Sequence, residues 1–358
     1  MERRSTLHDV AREAGVSAKT VSRVVNGDGP VAAATRARVL AATERLGFRP
    51  NLLARSIRIG GPDSTVGLVV PDLGNPFFGA LAGGVEEAAR ARGLTVLLGC
   101  SGGDPVREAD VVSAFLARRT AALLVVPATD GEASAQQAAS AGVPLVFVDR
   151  PGPDADCVLS SNRAGAREGV AHLLAAGHRR VAFLGDLPPE LYTRRERLAG
   201  YEDALAGAGV PRDGALLAAA RTAADAELAV ERLLALPDPP TALFASHVNA
   251  ATGAVLALAR AGRREVALLA FDDLPLAEAL DPPLSAVAQA PAELGAAALR
   301  LALARLDGDV SPPRTETVPT RLVLRGALSH GALSHGAPSH GAPRTAAPFA
   351  ALSRTASP

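Results

Sequence analysis

Lysine is almost absent from this chain. Of its 37 basic Lys/Arg side chains only Lys19 is lysine. Cysteine is as scarce: Cys100 and Cys157 stand alone, with no C-x-x-C spacing for a metal. Two isolated cysteines indicate a reduced, cytoplasmic chain. No apolar run approaches the roughly 20 residues that span a bilayer, and the opening MERRSTLHD has no apolar stretch of signal-peptide length. A membrane partner is therefore not expected. The pattern G-x-G-x-x-G does not follow the first strand-like run of the larger region, which argues against a nicotinamide enzyme. Leucine heptads are missing from the end of the chain, so the oligomer expected is a dimer.

A length of 358 residues suggests about two or three domains. With 48% apolar residues the core can be large. The net charge is zero overall, but residues 1–58 hold eleven Lys/Arg against five Asp/Glu, a net of +6. A basic head on a mildly acidic body suits a small nucleic-acid module attached to a larger domain. The arginine excess follows a bias toward Ala, Arg, Gly and Pro, which Lys19 resists.

Lys19 lies in TLHDVAREAGVSAKTVSRVVN, Thr6 to Asn26, which reads as two short helices around a tight turn. Thr6 and Asp9 have capping-box spacing. Leu7, Val10, Ala11 and Ala14 make one apolar face. Gly15 suits a left-handed turn, Val16 plugs the gap, and Ser17 caps the second helix. That helix buries Val21, Val24 and Val25. Its other face is Ala18, Lys19, Thr20, Ser22, Arg23 and Asn26, short polar groups and two cations that suit a major groove. The bland alternative is a helical hairpin in some core.

A turn at 27–30 leads to a third helix, about 32–46, in which Val39, Ala42 and Leu46 face the first two and Gly47 ends it. Val31 and Ala32 leave it without a polar N-cap, a loss of about 1 kcal/mol. LLARSIR, 52–58, is too short for a stable free helix. It can fold on DNA with Ile57 as a minor-groove wedge, or serve as a plain linker ahead of Gly60-Gly61-Pro62.

From Ser64 short β-branched runs alternate with Ala-rich helical stretches. Strands are expected at 65–70, 94–99, 121–127, 144–149, 180–185, 215–219, 241–245, 265–271, 285–288 and 315–325. Helices are expected at 77–92, 106–118, 131–141, 163–176, 191–208, 223–235, 249–261 and 291–306. Near-continuous apolar strands between helices indicate parallel sheets covered on both faces, and two runs of such units suggest two similar lobes. After Arg325 the repeat GALSHGALSHGAPSHGAP begins. His330, His335 and His340 invite a metal reading, but the Gly/Ala/Ser/Pro composition fits a disordered tail better.

In order and spacing, TLHDVAREAGVSAKTVSRVVNG, ERLGFRPNLLARSIR, VGLVVPDLGNPFF, GHRRVAFLGD, RRERLAGY, FDD and DPPLSAVAQ resemble the lactose-repressor/galactose-repressor family of bacterial regulators over residues 5–325. The resemblance implies an α/β fold: a small all-α helix-turn-helix headpiece (1–49), a hinge helix and linker (50–62), and a two-lobed core like periplasmic sugar-binding proteins (63–325). Lobe 1 would hold 63–160 and 288–325, lobe 2 161–287, with a tail at 326–358. It implies a homodimer on palindromic double-stranded operator DNA, controlled by a small effector, often a sugar or nucleobase, between the lobes, with no cofactor.

Carried over by position, Ala18, Lys19 and Arg23 read bases, while Ser17, Thr20, Ser22 and Asn26 hold phosphates or cap. Thr6, Asn51, Ala54, Arg55 and the wedge Ile57 complete the DNA-facing set. Phe77 and Phe78 match an aromatic pair on the ligand. Asp72, Asp149, Thr193, Arg197, Asp272 and Gln289 match polar effector positions, as a sugar's adjacent hydroxyls require. Three positions depart from the family: His247-Val248 replaces Asn-Asp, Arg221 an aromatic platform, and Ser161 an acid before Asn162. Arg197, Arg221 and His247 together would suit an anionic sugar derivative.

Two rival readings remain open at this point. Gly99-Cys100-Ser101-Gly102-Gly103 matches the G-x-S-x-G elbow of a serine hydrolase, with Asp186 and His247 downstream, although Asp104-Pro105 looks like a helix start. The core alone would also suit a transporter's solute-binding protein, which the basic headpiece opposes.

Overall fold

The computed structural model describes residues 6–26, 30–47, 64–185 and 191–326. It divides into two compact units, 1–160 with 290–318, and 161–289 with 319–358.

The described residues of the amino-terminal region form three helices: α1 (Leu7–Ala14), α2 (Ala18–Asn26) and α3 (Ala33–Arg45). Thr6 and Asp9 form the capping box, and Gly15 ends α1 at φ +63°. α3 starts at Ala32 with no side-chain cap. Val10, Ala11, Ala14, Val21, Val24, Val39 and Ala42 make a closed core, with Leu7, Val16, Ala18, Val25, Val31 and Leu46 against it. Arg45 reaches Glu13 at 2.7 Å and ties α3 to α1, though an exposed pair adds little stability.

The first unit's sheet has the order β11-β5-β4-β3-β1-β2 and is parallel throughout. Its elements are β1 (Thr65–Val70), α4 (Pro76–Arg90), β2 (Thr95–Cys100), α5 (Pro105–Ala117), β3 (Ala122–Val125), α6 (Glu132–Ala141), β4 (Leu145–Val148) and β5 (Asp156–Ser160). The second unit follows with α7 (Asn162–Ala175), β6 (Val181–Gly185), α8 (Tyr192–Gly207), β7 (Leu217–Ala219), α9 (Ala223–Leu234), β8 (Ala242–Ala245), α10 (Val248–Ala261), β9 (Ala267–Phe271) and β10 (Ser285–Ala288). The chain returns to the first unit for α11 (Pro291–Leu306) and β11 (Thr315–Val318), then re-enters the second for β12 (Arg321–Val323). The second sheet runs β12-β10-β9-β8-β6-β7, parallel except for the β10–β12 pair. Central strands such as β3, β4, β6 and β8 are buried along their whole length, as helices on both faces require.

Three details differ from the sequence reading. DCVLS forms β5 although no strand is expected there; it is short and flanked by polar residues. The single strand expected over 315–325 is two, in different sheets. Pro319, with no N–H to give a ladder, sits at the break, so 319–325 join the second unit rather than lobe 1. The expected strand at 215–219 also begins as a 3-10 turn, Gly214–Leu216.

Within each sheet one place matters for ligands. The chain leaves β1 for β2 on one side and β3 on the other, and leaves β6 for β7 and β8 in the same way. Loops diverge at such a switch point and open a crevice at the carboxyl ends of the strands. No described helix is long and apolar enough to cross a membrane.

Candidate nucleic-acid interface and effector site

α2 buries Val21 and Val24 in the three-helix core and exposes Lys19 and Arg23, one turn apart on the same side. Ser17 is exposed at the start of α2. Its Oγ accepts the Thr20 N–H at 3.1 Å and lies 2.9 Å from Thr20 Oγ1, so the two hydroxyls pair. Thr20 and Ser22 are half-buried. Ala18 departs from the expected outer face: it is half-buried against the core. Positions 18, 21 and 25 fall on one helical stripe, so its methyl extends the valine face. Thr6 Oγ1 accepts the Asp9 N–H at 3.3 Å and donates to Asp9 Oδ2 at 2.6 Å, and Asn26 ends α2. Asn51, Ala54, Arg55 and Ile57 lie outside the described residues.

In the first unit Asp72 follows β1, exposed, and accepts the Gly74 N–H at 2.8 Å. Asn75 caps α4 through the Phe77 N–H. Phe77 and Phe78 are 7% and 5% exposed, edge-to-face at 5.2 Å, and belong to that unit's core. The pair expected to stack on a ligand is thus largely committed to core packing, because Leu81, Val85 and α11 close over it. Asp149 follows β4, buried, at φ +67°, a left-handed conformation costing about 1–2 kcal/mol outside glycine. Its Oδ2 lies 3.6 Å from Arg150 Nε.

In the second unit Thr193 and Arg197 lie one turn apart on α8, both buried. Arg197 Nε donates to Asn162 Oδ1 at 2.8 Å and Nη1 to the Ser246 carbonyl at 2.6 Å. Its guanidinium lies 3.8 Å from the Phe271 ring centroid. A neutral amide, a carbonyl and an aromatic face therefore surround the cation. Asp272 follows β9 at φ +81° and accepts from Gln289 Nε2 at 2.6 Å. Gln289 Oε1 is buried and has no hydrogen-bond partner among the described residues. The arrangement offers acceptors on Asp272 and Gln289 beside a planar donor on Arg197, suited to a polyhydroxylated molecule.

The description "Bacterial regulatory proteins, lacI family" matches residues 6–51, and "Periplasmic binding protein-like domain" matches residues 170–328. The transcriptional regulator GalR of Escherichia coli strain K12 is 32% identical over 333 residues, covering 91% of this chain and 96% of that protein. This chain belongs to the lacI family. Among solved structures the Lac repressor dimer bound to operator and the anti-inducer ONPF is similar, with a TM-score of 0.81 and 26% identity over 91% of this chain and 100% of that one. The CelR–cellobiose complex is similar with a TM-score of 0.68 and 30% identity, over 90% and 100%. LacI-family proteins are transcription factors and not enzymes.

In this lacI-family chain the enzyme reading fails on geometry as well. Ser101 is fully buried and its Oγ accepts the Gly103 N–H at 3.3 Å. Asp104 caps α5 through the Val106 N–H at 2.8 Å, so the helix starts four residues after the serine. Asp186 lies outside the described residues.

His247, expected as an effector contact, is held by bonds inside the second unit. Nδ1 accepts the Ala250 N–H at 3.3 Å and so caps α10. A nitrogen that accepts carries no hydrogen, so the hydrogen is on Nε2, 3.0 Å from the Ala220 carbonyl. Both ring nitrogens are engaged inside the second unit, so the imidazole is not the cation that the anionic-ligand expectation counted beside Arg197 and Arg221. Arg221 is exposed, and its carbonyl accepts from Asn249.

Ser161, at the position of the family's acid, accepts the Thr320 N–H at 2.8 Å and ties α7 to the segment entering β12. Asn162, Ser246 and Phe271 form Arg197's surroundings, and none of the three was among the expected site residues. Asn162, a polar residue directly ahead of the helix expected at 163–176 and beside the departure at Ser161, was the one available signal. His330, His335 and His340 lie outside the described residues. Among the described residues no group of three His, Cys, Asp or Glu could hold a metal ion.

Proposed function

We propose that this DNA-binding transcription regulator acts as a repressor, binding a palindromic operator as a homodimer under the control of a sugar or sugar derivative. The observation that carries the DNA reading is α2: one side is sealed into its own three-helix core, and the other presents Lys19 and Arg23. These two suit guanine N7 and O6. Thr6, Ser17, Thr20, Ser22 and Asn26 border the backbone. Asn51, Ala54, Arg55 and the wedge Ile57, which lie outside the described residues, are assigned to DNA contact by family position alone. The protein works in the cytoplasm.

The effector contacts proposed are Arg197, Thr193, Asp272 and Gln289 of the second unit, and Asp72 and Asp149 of the first. Family position supports this reading, as does the place of Asp72, Asp149, Asp272 and Gln289 just after strands, where open α/β sheets take ligands. The ligand biases a two-state equilibrium that sets the spacing of the two hinges, and so whether both headpieces reach their half-sites. A coupling of about 1–3 kcal/mol suffices.

Selection of duplexes from a random DNA pool by the full-length protein tests the proposal. A palindrome with guanine opposite Lys19 and a flexible central step is the expected product. Weak, salt-sensitive binding without any enriched sequence would overturn sequence-specific recognition by the protein alone. Light scattering at micromolar concentration should give a dimer.

A further inference from the structure

Glu108 lies on α5 and is buried, yet both its carboxylate oxygens receive a hydrogen bond. Oε2 accepts the Ala128 N–H at 2.5 Å, and Oε1 accepts from Ser134 Oγ at 2.6 Å. Ser134 is itself fully buried in the first turn of α6. A buried carboxylate is tolerated only when donors replace its water, so its position states where a fixed geometry is needed. The geometry fixed here is that of 126–131, the segment leaving β3 next to the β1/β3 switch point.

The Ala128 N–H and the Pro127 carbonyl belong to one peptide group. That carbonyl accepts from Arg150 Nη1 at 2.9 Å, and Arg150 Nε lies 3.6 Å from Asp149 Oδ2. A peptide group is planar, so a bond that orients its N–H also orients its C=O. The same group is polarised from both ends, by an anion on the hydrogen and a cation on the oxygen, which strengthens both bonds. An unbroken path therefore runs from Glu108 through a single peptide plane to Arg150 and Asp149, all within the first unit.

We propose that Glu108 is a positioning residue: through the Pro127–Ala128 peptide and Arg150 it fixes Asp149 in the left-handed turn that ends β4. Its consequence for effector binding rests on the reading of Asp149 as an effector contact. A glutamine at 108 keeps the path, since its carbonyl accepts from Ala128 and its amide donates to Ser134 Oγ. An alanine breaks it.

Hydrogen exchange on the full-length protein reads the path directly, with or without a known effector. E108A is expected to speed exchange about five-fold or more in 126–131 and also in 147–151, with 65–70 unchanged. E108Q should stay near wild type in both. R150Q should speed 147–151, and adding E108A to it should not speed that segment further, because both act on one path. If E108A misfolds, S134A, which leaves the Ala128 bond in place, is expected to move both segments in the same direction by less. Acceleration in E108A or S134A confined to 126–134, with 147–151 at the wild-type rate, would overturn the proposal. So would E108Q exchanging at 147–151 as fast as E108A. Calorimetry with cellobiose, galactose and ribose is the separate arm. Heat in the wild type with about ten-fold weaker binding in E108A is expected. Equal affinity in the two would overturn the consequence for the effector. No heat from any probe in the wild type would count against the sugar reading, while the exchange pattern still decides the path.

Discussion

The imidazole of His247 accepts the Ala250 N–H through one nitrogen and gives a hydrogen to the Ala220 carbonyl through the other. Removing it uncaps α10 and leaves a buried carbonyl without that donor. H247A should therefore lose about 1–3 kcal/mol in urea unfolding. H247N, whose amide can still cap, should lose less. If H247A unfolds like the wild type but abolishes sugar binding, the residue is an effector contact after all. Arg197 is a parallel case: its type and family position pointed to a ligand, and it too is bonded inside its own unit, to Asn162 and Ser246 over the Phe271 ring. A lysine cannot fork to two acceptors while lying flat on a ring. R197K should weaken sugar binding about ten-fold or more, measured by calorimetry. The residue types were legible in the sequence, but the use of His247, Ala18 and Ser161 was not. Each is decided by a partner distant in the chain or by where the apolar stripe falls.

Helix pairs lie close in both units, and glycine is the reason. A Cβ on Gly295 of α11 would stand 2.4 Å from the Leu81 carbonyl oxygen of α4, and one on Gly84 would stand 2.1 Å from that of Ala292. Gly200 of α8 meets Arg163 of α7, and Gly253 of α10 meets Ala223 of α9, each at 2.2 Å. Backbone cannot yield as a side-chain tip can, so G295A should cost about 1–3 kcal/mol. Gly79, on the same α4, faces nothing within 4 Å, and G79A should be neutral or stabilising by up to about 1 kcal/mol. Thermal unfolding of the two variants separates them, and equal losses would mean that the helix crossing adjusts. This layer of the fold was hidden in the sequence, where a glycine inside a helix reads only as a propensity loss. The strands were plain because β1, β3, β4 and β8 are continuous apolar runs. β5 was not, since DCVLS is short and starts with the buried, ion-paired Asp156, which reads as polar loop.

Asp156 also governs how the whole molecule should respond to acid. Burial, the largest single influence, pushes its carboxyl up. The bonds from Arg305 and the Arg314 N–H overcome that push and hold it below the ordinary value. Half-buried Asp309 is lowered to about 2, first by the Ser311 hydroxyl and N–H and then by Arg314. Both groups have folded values below their unfolded ones. Their stabilisation is therefore complete above the ordinary carboxylate value near 3.8 and is lost as pH falls through the folded values. The wild type should hold its urea midpoint from neutrality to about pH 4, as far as these two groups decide it, and lose it steadily toward pH 2. R305M removes the cation but leaves Asp156 buried. It should cost about 3–5 kcal/mol at neutral pH and reverse the slope. With the main opposing bond gone, burial raises the folded value above the unfolded one, so acidification from pH 7 toward 5 should restore stability to R305M while leaving the wild type flat. Parallel profiles for the two proteins would mean that Arg305 does not set the charge state of Asp156, and that its bonds to the carbonyls of Asp309, Ser311 and Pro312 are its main contribution.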